Sequence, residues 1–451
     1  MEVCTVGGYE ECGKNMTAVK LGEDVFIFDA GIYLPPVIEI QETEPKGTNS
    51  GIYNEAKLRK IGALPDDLVL DKLGWRDKVK AIIIGHAHFD HIGGVPYITH
   101  RYPEAQIIAT PFTMAFFNEL LEDNRLVSKN KQTILKSNTS MKIKGQSEEY
   151  TLEFIHVTHS TLQCVLCALH SSHGTFFYAL DFKFDNFPVM EPPTNYKRLK
   201  EIGNAGVKVL AMEALYSSVE RRTPSERIAR NMVEDAFSRV SKTNTAIFVS
   251  TFSSHIARLK SIVDFGRRTN RQIVFLGRSL NKYLSCAIKI NECPFKKDIT
   301  LIKYRNQVDA FLKKLNNERG KYLVVCTGHQ AEPGSILDRL ANDETPFKFK
   351  EDDNVIFASS VIPASVNLMA REKMDRKFRK KGVRIQTDVH VSGHAGREDL
   401  RDMIEMLKPK NIIPAHGTMQ QETPLVELAK ELGYKFGETV HLSSDGKVLK
   451  F

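Results

Sequence analysis

Gly85-His86-Ala87-His88-Phe89-Asp90-His91-Ile92-Gly93-Gly94 places three imidazoles and a carboxylate within six residues, directly after the apolar run Ala81-Ile82-Ile83-Ile84. Imidazole and carboxylate suit Zn²⁺ and similar divalent ions, and a catalytic centre also needs partners from elsewhere and an open position for water. So many ionisable groups beside a buried strand are costly unless something binds them. A metal site at one strand-to-loop junction is therefore expected.

The remaining ligands should be His or Asp at strand ends, where a rigid scaffold can hold them about 2 Å from a metal. His159 follows Phe154–Val157, Asp181 follows Phe176–Leu180, and His416 follows Ile412–Ala415 in Pro-Ala-His-Gly. His100, His156, His170 and His173 fall in turns or mid-strand and read as structural or exposed. Cys164-x-x-Cys167 has no second pair, and its surroundings read as a buried strand rather than a zinc or redox site.

The elements that must carry these groups change character along the chain. Met1–Val6, Met16–Leu21 and Val25–Phe28 are β-prone runs, and Leu162–Leu169 with Thr175–Leu180 reads as a hairpin. Between Gly31 and Lys78 a Pro/Gly-punctuated polar segment, taken as an insertion over 32–78, suggests surface loops and short helices. From Ser225 strand and helix alternate: Ser225–Ser238 and Ile256–Arg267 are helical, whereas Ala246–Val249, Ile273–Leu276, Leu323–Cys326 and Asn354–Ala358 are strands. That alternation implies a parallel sheet covered by helices. Arg371 to Lys381 forms a basic helix with Met374 and Phe378 inward, followed by a strand Val383–Val389, a helix Arg397–Leu407 and the strand Ile412–Ala415.

With 451 residues and 42% hydrophobic content the chain can build sizeable cores. No stretch approaches the roughly 18 apolar residues of a membrane span, and the start lacks the layout of a signal peptide. Seven scattered cysteines fit a reducing compartment, so a cytoplasmic location and no membrane partner are expected. A net charge of +8 favours a polyanionic partner.

His86-x-His88-x-Asp90-His91, with Asp29 closing the strand Val25–Phe28 and with His159, Asp181 and His416 downstream, resembles the metallo-β-lactamase fold. The resemblance implies that His86, His88 and His159 hold one metal, Asp90, His91 and His416 a second, and that Asp181 bridges them, with Asp29 orienting the ligand loop. The long interval from Asp181 to His416 resembles the β-CASP insertion of nucleic-acid processing nucleases. Its markers would be Glu213 in Met-Glu-Ala, His394 in Val-Ser-Gly-His-Ala, and His416. Gly7-Gly8, Gly13-Lys14-Asn15-Met16, His159-Ser160-Thr161 and Thr327-Gly-His-Gln-Ala-Glu-Pro-Gly334 are similar to the ribonuclease J family, and the sequence stops soon after His416 as its archaeal forms do.

The fold class this implies is α/β: a metallo-β-lactamase αββα sandwich with an inserted β-CASP domain, a parallel sheet flanked by helices. Boundaries are expected at 1–215 and 371–451 for the first domain and 216–370 for the insert. The implied activity is a zinc-dependent 5′→3′ exoribonuclease on single-stranded RNA with a 5′-monophosphate, using two Zn²⁺ per chain for in-line attack at phosphorus. Asp90, Asp181, Glu213 and His394 would be catalytic, His394 stabilising phosphate or protonating the leaving group. His390, Ser392 and the backbone of Gly393, with His394, would bind the terminal phosphate, and Ser253, Ser254, His255, Gly328, His329 and Gln330 the strand. A homodimer is implied as well. An endonuclease similar to the polyadenylation-factor subunit is the alternative, although its archaeal long form carries KH domains ahead of the metal domain. A lactonase or thioesterase needs no second domain of this size, and a non-catalytic RNA-binding subunit would have eroded ligands.

Overall fold

A computed structural model describes residues 1–43, 54–240, 244–362 and 365–451. The chain divides into two units, one of Met1–Asn186, Glu191–Thr223 and Gly393–Phe451, the other of Phe187–Met190 and Pro224–Ser392.

The first unit holds two sheets. One has the order Lys447–Lys450, Glu2–Gly7, Met16–Leu21, Asp24–Phe28, Val79–Ile84, Gln106–Ala109, Gln132–Ile134. The other runs Asn411–Ala415, Val207–Glu213, Gly174–Ala179, Val165–Ser171, Glu149–His156, Thr139–Lys144. Side chains alternate across each strand, so two apolar layers form. Phe28, Ile83, Phe154, Phe176 and Tyr178 share the core between the sheets, where the Phe28 and Phe176 rings lie 5.1 Å apart. Each such buried ring contributes about 1.5–3 kcal/mol. Phe177, Ala179 and Met212 face the other way and pack with Leu199 and Ile202 of helix Tyr196–Ala205 and with Met403 and Ile404 of helix Arg397–Leu407. Helix Pro111–Asn124 buries Phe112, Phe116 and Phe117 beside strand Gln106–Ala109. The layers are thus helix, sheet, sheet, helix.

The segment expected as an insertion forms the helices Leu34–Thr43, Glu55–Lys60 and Val69–Lys72, the first two joined in a small cluster of Ile32, Val37, Leu58, Ala63, Leu64 and Tyr97. Residues 44–53 of it lie outside the described residues.

The second unit is built on a six-stranded sheet in the order Ile299–Ile302, Gln272–Leu276, Tyr322–Cys326, Ile247–Ser250, Asn354–Phe357, Arg384–Gln386. All its pairings are parallel, as the strand-helix alternation implies. The expected return to the first domain at 371 comes instead at Gly393. Helix Ser365–Lys380 turns Met374 and Phe378 into the second unit's core, and Arg384–Gln386 pairs with Asn354–Ile356 of its sheet. The first unit likewise continues to Thr223 rather than ending at 215. Of the strand expected over Val383–Val389, only Arg384–Gln386 is regular.

Helix Met419–Glu431, opened by a Thr418–Gln421 capping box, buries Glu422. Burial, reinforced by Asp445, Glu10 and Glu11, pushes that carboxyl up to about 9. The folded protein therefore binds this proton more tightly than the unfolded chain. The resulting stability is full below the ordinary carboxyl pKa near 4.5 and is lost as pH rises toward 9. Glu422→Gln is expected to raise the melting temperature at pH 8, by an amount on the order of a few kcal/mol of stability, and to change little at pH 4. Thermal melts at the two pH values check it.

Candidate metal centre

The chemistry sits at the C-terminal ends of strands from both sheets of the first unit. Asp29 follows Asp24–Phe28, the His86–His91 loop follows Val79–Ile84, and His159 follows Glu149–His156. Asp181 follows Gly174–Ala179, Glu213 ends Val207–Glu213, and His416 follows Asn411–Ala415. Asp29, Asp181 and His416 hold left-handed backbone at φ 58°, 54° and 56°. Such conformations are uncommon for residues other than glycine and are retained where the surroundings over-determine them.

Two four-residue clusters of donor atoms, and a third group of Asp181, Glu213 and His394, share one carboxylate. His86, His88, His159 and Asp181 form the first, Asp90, His91, Asp181 and His416 the second, and within each the ligand atoms lie within 4.8 Å of one another. Four donors about 2.0–2.1 Å from a tetrahedral ion stand about 3.3 Å apart. In the first cluster His88 Nδ1 is 3.0 Å from both His86 Nε2 and His159 Nε2, which are each 3.4 Å from Asp181 Oδ2. In the second, His91 Nε2 and His416 Nε2 lie 3.3 and 3.5 Å from Asp181 oxygens and 3.7 and 3.8 Å from Asp90 Oδ2. Asp181 Oδ1 is buried with no hydrogen-bond partner. An orphaned carboxylate oxygen among imidazoles at this spacing fits divalent ions.

The second nitrogens are committed to orienting partners. His159 Nδ1–H donates to the Gly393 carbonyl at 2.6 Å and His91 Nδ1–H to Asp29 Oδ2 at 2.7 Å. His416 Nδ1–H donates to Asn15 Oδ1 at 3.0 Å. Each bond leaves Nε2 turned toward the centre, as metal-ligating histidines require. Asp29 is itself fixed by the Gly85 amide at 2.8 Å and the Tyr178 hydroxyl at 3.0 Å. The ligand loop lies hard against Gly31, where an added Cβ would sit 1.7 Å from the Asp90 carbonyl oxygen, so only glycine fits. Asn15 clamps the same carbonyl through its amide Nδ2 at 3.0 Å.

Electrostatics keeps His86, His88, His159 and Asp181 in ligating form. Burial, aided by neighbouring imidazoles, holds His88 down to about 3 and His86 and His159 below the usual histidine range. Burial opposes ionisation of Asp181, but His91, His416 and His394 outweigh it and keep the carboxylate charged. Against the same burial cost, Asp181, Asp90 and Asp29 hold His91 protonated, a proton that a cation at Nε2 would displace.

His394 stands beside the shared carboxylate, its Nδ1 3.9 Å from Asp181 Oδ1 and 2.8 Å from Glu213 Oε2. Glu213 is buried and accepts from the Phe182 amide at 2.9 Å, which fixes its carboxylate. Burial lowers the His394 pKa, but Asp181 and Glu213 outweigh it and lift it to about 9. Cations at Asp181 would lower it again, toward the range of a general acid.

The other histidines and the cysteines singled out by sequence belong to none of these donor groups. His156 Nε2–H donates to the Pro192 carbonyl at 2.9 Å, His170 pairs with Thr175, and His100 and His173 are outside both clusters. Cys164 and Cys167 are buried free thiols, and Cys164 Sγ–H donates to the Asp181 carbonyl at 3.3 Å. In the second unit Ser254, His255, His329 and Gln330 are buried, and the Gln330 amide is committed to Ser360 and Ile362 backbone groups. Ser253 is partly exposed, as are His390 and Ser392, while Gly328 is buried. Sequence reasoning assigned no role to Asn15, although it lay in a quoted motif, and had no signal for Tyr178, one tyrosine within an ordinary strand.

Orienting partners of ligating histidines are typically worth 10–100-fold in metal affinity. Asp29→Asn is expected to weaken binding at the His91 side by about that factor, measured by competition with a chelator of known affinity.

Family models match three stretches: the metallo-beta-lactamase superfamily over residues 9–181, the ribonuclease J beta-CASP domain over 244–373, and the Zn-dependent metallo-hydrolase RNA specificity domain over 382–442. Fold and site thus define a metal-dependent ribonuclease of the metallo-β-lactamase and β-CASP type. The chain is 38% identical to ribonuclease J of Methanocaldococcus jannaschii over 100% of its own length and 99% of that protein's. To ribonuclease J of Pyrococcus abyssi it is 39% identical over 100% and 97%. It belongs to the ribonuclease J family. A solved structure of a protein of unknown function from Enterococcus faecalis V583 shares the fold across 99% of both chains, with a TM-score of 0.64 at 17% identity.

Proposed function

We propose that the protein is a two-zinc 5′→3′ exoribonuclease that trims single-stranded RNA from a 5′-monophosphate end and releases mononucleotides. The observation that carries this reading is the pair of donor clusters sharing Asp181, with His394 and Glu213 at their edge. His86, His88 and His159 would hold one ion, Asp90, His91 and His416 the other, and Asp181 both. Bound there, the two ions supply a nucleophile at neutral pH and offset charge on the phosphoryl oxygens.

The chain's own groups do the rest. Asp29, Asn15 and the Gly393 carbonyl keep the imidazoles aimed. Glu213 holds the His394 Nδ1 proton, so the ring meets the scissile phosphate in one orientation and its Nε2 proton goes to the departing 3′-oxygen. His390 and Ser392, next to this histidine in sequence, are assigned to the terminal phosphate. The ribonuclease J name of the archaeal relatives and the RNA specificity domain support RNA as substrate. A cytoplasmic homodimer belongs to the same reading.

RNA labelled at a 5′-monophosphate separates the outcomes. Labelled mononucleotide appearing from the first time point is expected. Discrete internal fragments would replace the exonuclease by an endonuclease, and intact RNA with metal bound would leave a binding subunit.

A further inference from the structure

Within the second unit, Arg258 of helix Ile256–Gly266 is fully buried. It meets Glu226, the first residue of helix Glu226–Ser238, through two bonds of 2.6 and 2.9 Å. Its Nη1 also donates to the Ala358 carbonyl at 2.8 Å and the Val389 carbonyl at 3.2 Å, and Nη2 approaches the Val391 carbonyl at 3.5 Å. Residues 387–392 belong to neither helix nor strand. The Val389 and Val391 carbonyls take a partner from outside the segment, and the guanidinium supplies it.

A buried ion pair is a weak source of stability, because desolvation cancels most of its attraction. What a guanidinium adds over an apolar pair is a rigid fork of donors. Nη1, whose two N–H groups also serve the Ala358 and Val389 carbonyls, lies 3.3 Å from His390 Nδ1, so one N–H is shared with this nitrogen. Arginine cannot accept, so this nitrogen must present its lone pair, and the ring proton then sits on Nε2.

We propose that Arg258 is a positioning residue: with Glu226 it fixes the Val389–Val391 backbone and holds His390 as the Nε2–H tautomer, the donor form that a 5′-phosphate oxygen needs. The link to phosphate rests on the function proposed above, whereas the tautomer stands on the geometry alone.

Nitrogen-15 spectra of the full chain labelled at histidine, assigned with His390→Gln, read the tautomer directly. An unprotonated Nδ1 and a protonated Nε2 are expected at pH 7.5, and a protonated Nδ1 overturns the proposal. The second readout is the ratio of kcat/KM for 5′-monophosphorylated over 5′-hydroxyl RNA. It is expected to fall about tenfold in the double variant E226Q/R258M, which leaves no buried charge unpaired. A purely structural arginine would lower both substrates alike and leave the ratio unchanged. His390→Ala separates the two claims. An unchanged ratio there overturns the phosphate reading, whereas a lowered ratio there with an unchanged one in the double variant overturns the role of Arg258.

Discussion

Asp181→Ala is expected to abolish RNA cleavage and to strip bound metal from the protein at the same time. Asp181 is the residue common to both donor clusters; without it the first keeps no carboxylate and the second keeps only Asp90. What remains is a group of closely spaced imidazoles, some 3.0 Å apart, with the single carboxylate of Asp90 to offset the charge of two cations. Loss of several kcal/mol of transition-state stabilisation corresponds to a fall in kcat of about 10³-fold or more. Asp181→Asn is the sharper variant, because asparagine tolerates the left-handed backbone at φ 54° while removing only the charge. Elemental analysis of the purified variant, run beside single-turnover cleavage, should show both losses. Metal-loaded protein with unchanged turnover would refute the bridging assignment.

His394→Ala is expected to behave differently: a fall in kcat of about 10²–10⁴-fold, the usual worth of a positioned acid or base, with metal content preserved. The ring is hydrogen-bonded to Glu213 and belongs to neither four-residue cluster, although with Glu213 and Asp181 it makes a third group of donor atoms, its Nδ1 3.9 Å from Asp181. Glu213→Gln should reproduce part of the loss, since the amide keeps the shape but not the charge that orients the imidazole. Metal analysis together with kcat and KM distinguishes this pattern from that of Asp181. If His394→Ala lost its metal as Asp181→Ala does, the histidine would be a ligand and not the acid.

The two kinds of residue also differ in how legible they were. Ligand types announce themselves: His86, His88, Asp90 and His91 crowd one loop, and Asp181 and His416 each follow an apolar run that can only be a strand. Their orienting partners do not. Tyr178 differs from neighbouring core aromatics only in a hydroxyl aimed at Asp29, and Asn15 acts through a fold contact 401 residues distant in sequence. The alternation of strand and helix after Ser225 was enough for a parallel sheet, because its period survives without knowledge of tertiary contacts. The boundary near 371 was not. Met374 and Phe378 reveal which face of their helix is apolar but not which sheet that face covers, and the next strand, Arg384–Gln386, is too short to declare its neighbour. Loop residues read as strand contacts, such as His329 and Gln330, proved buried for a related reason: a polar residue at a strand end has the same composition whether it meets a ligand or closes a turn.

The central claim is a pair of ions held around one carboxylate. Anomalous-difference density from crystals grown with zinc and measured at the zinc edge tests it most directly. Two peaks are predicted, one among His86, His88 and His159 and one among Asp90, His91 and His416, both in contact with Asp181. A single peak, or density away from Asp181, would contradict the account.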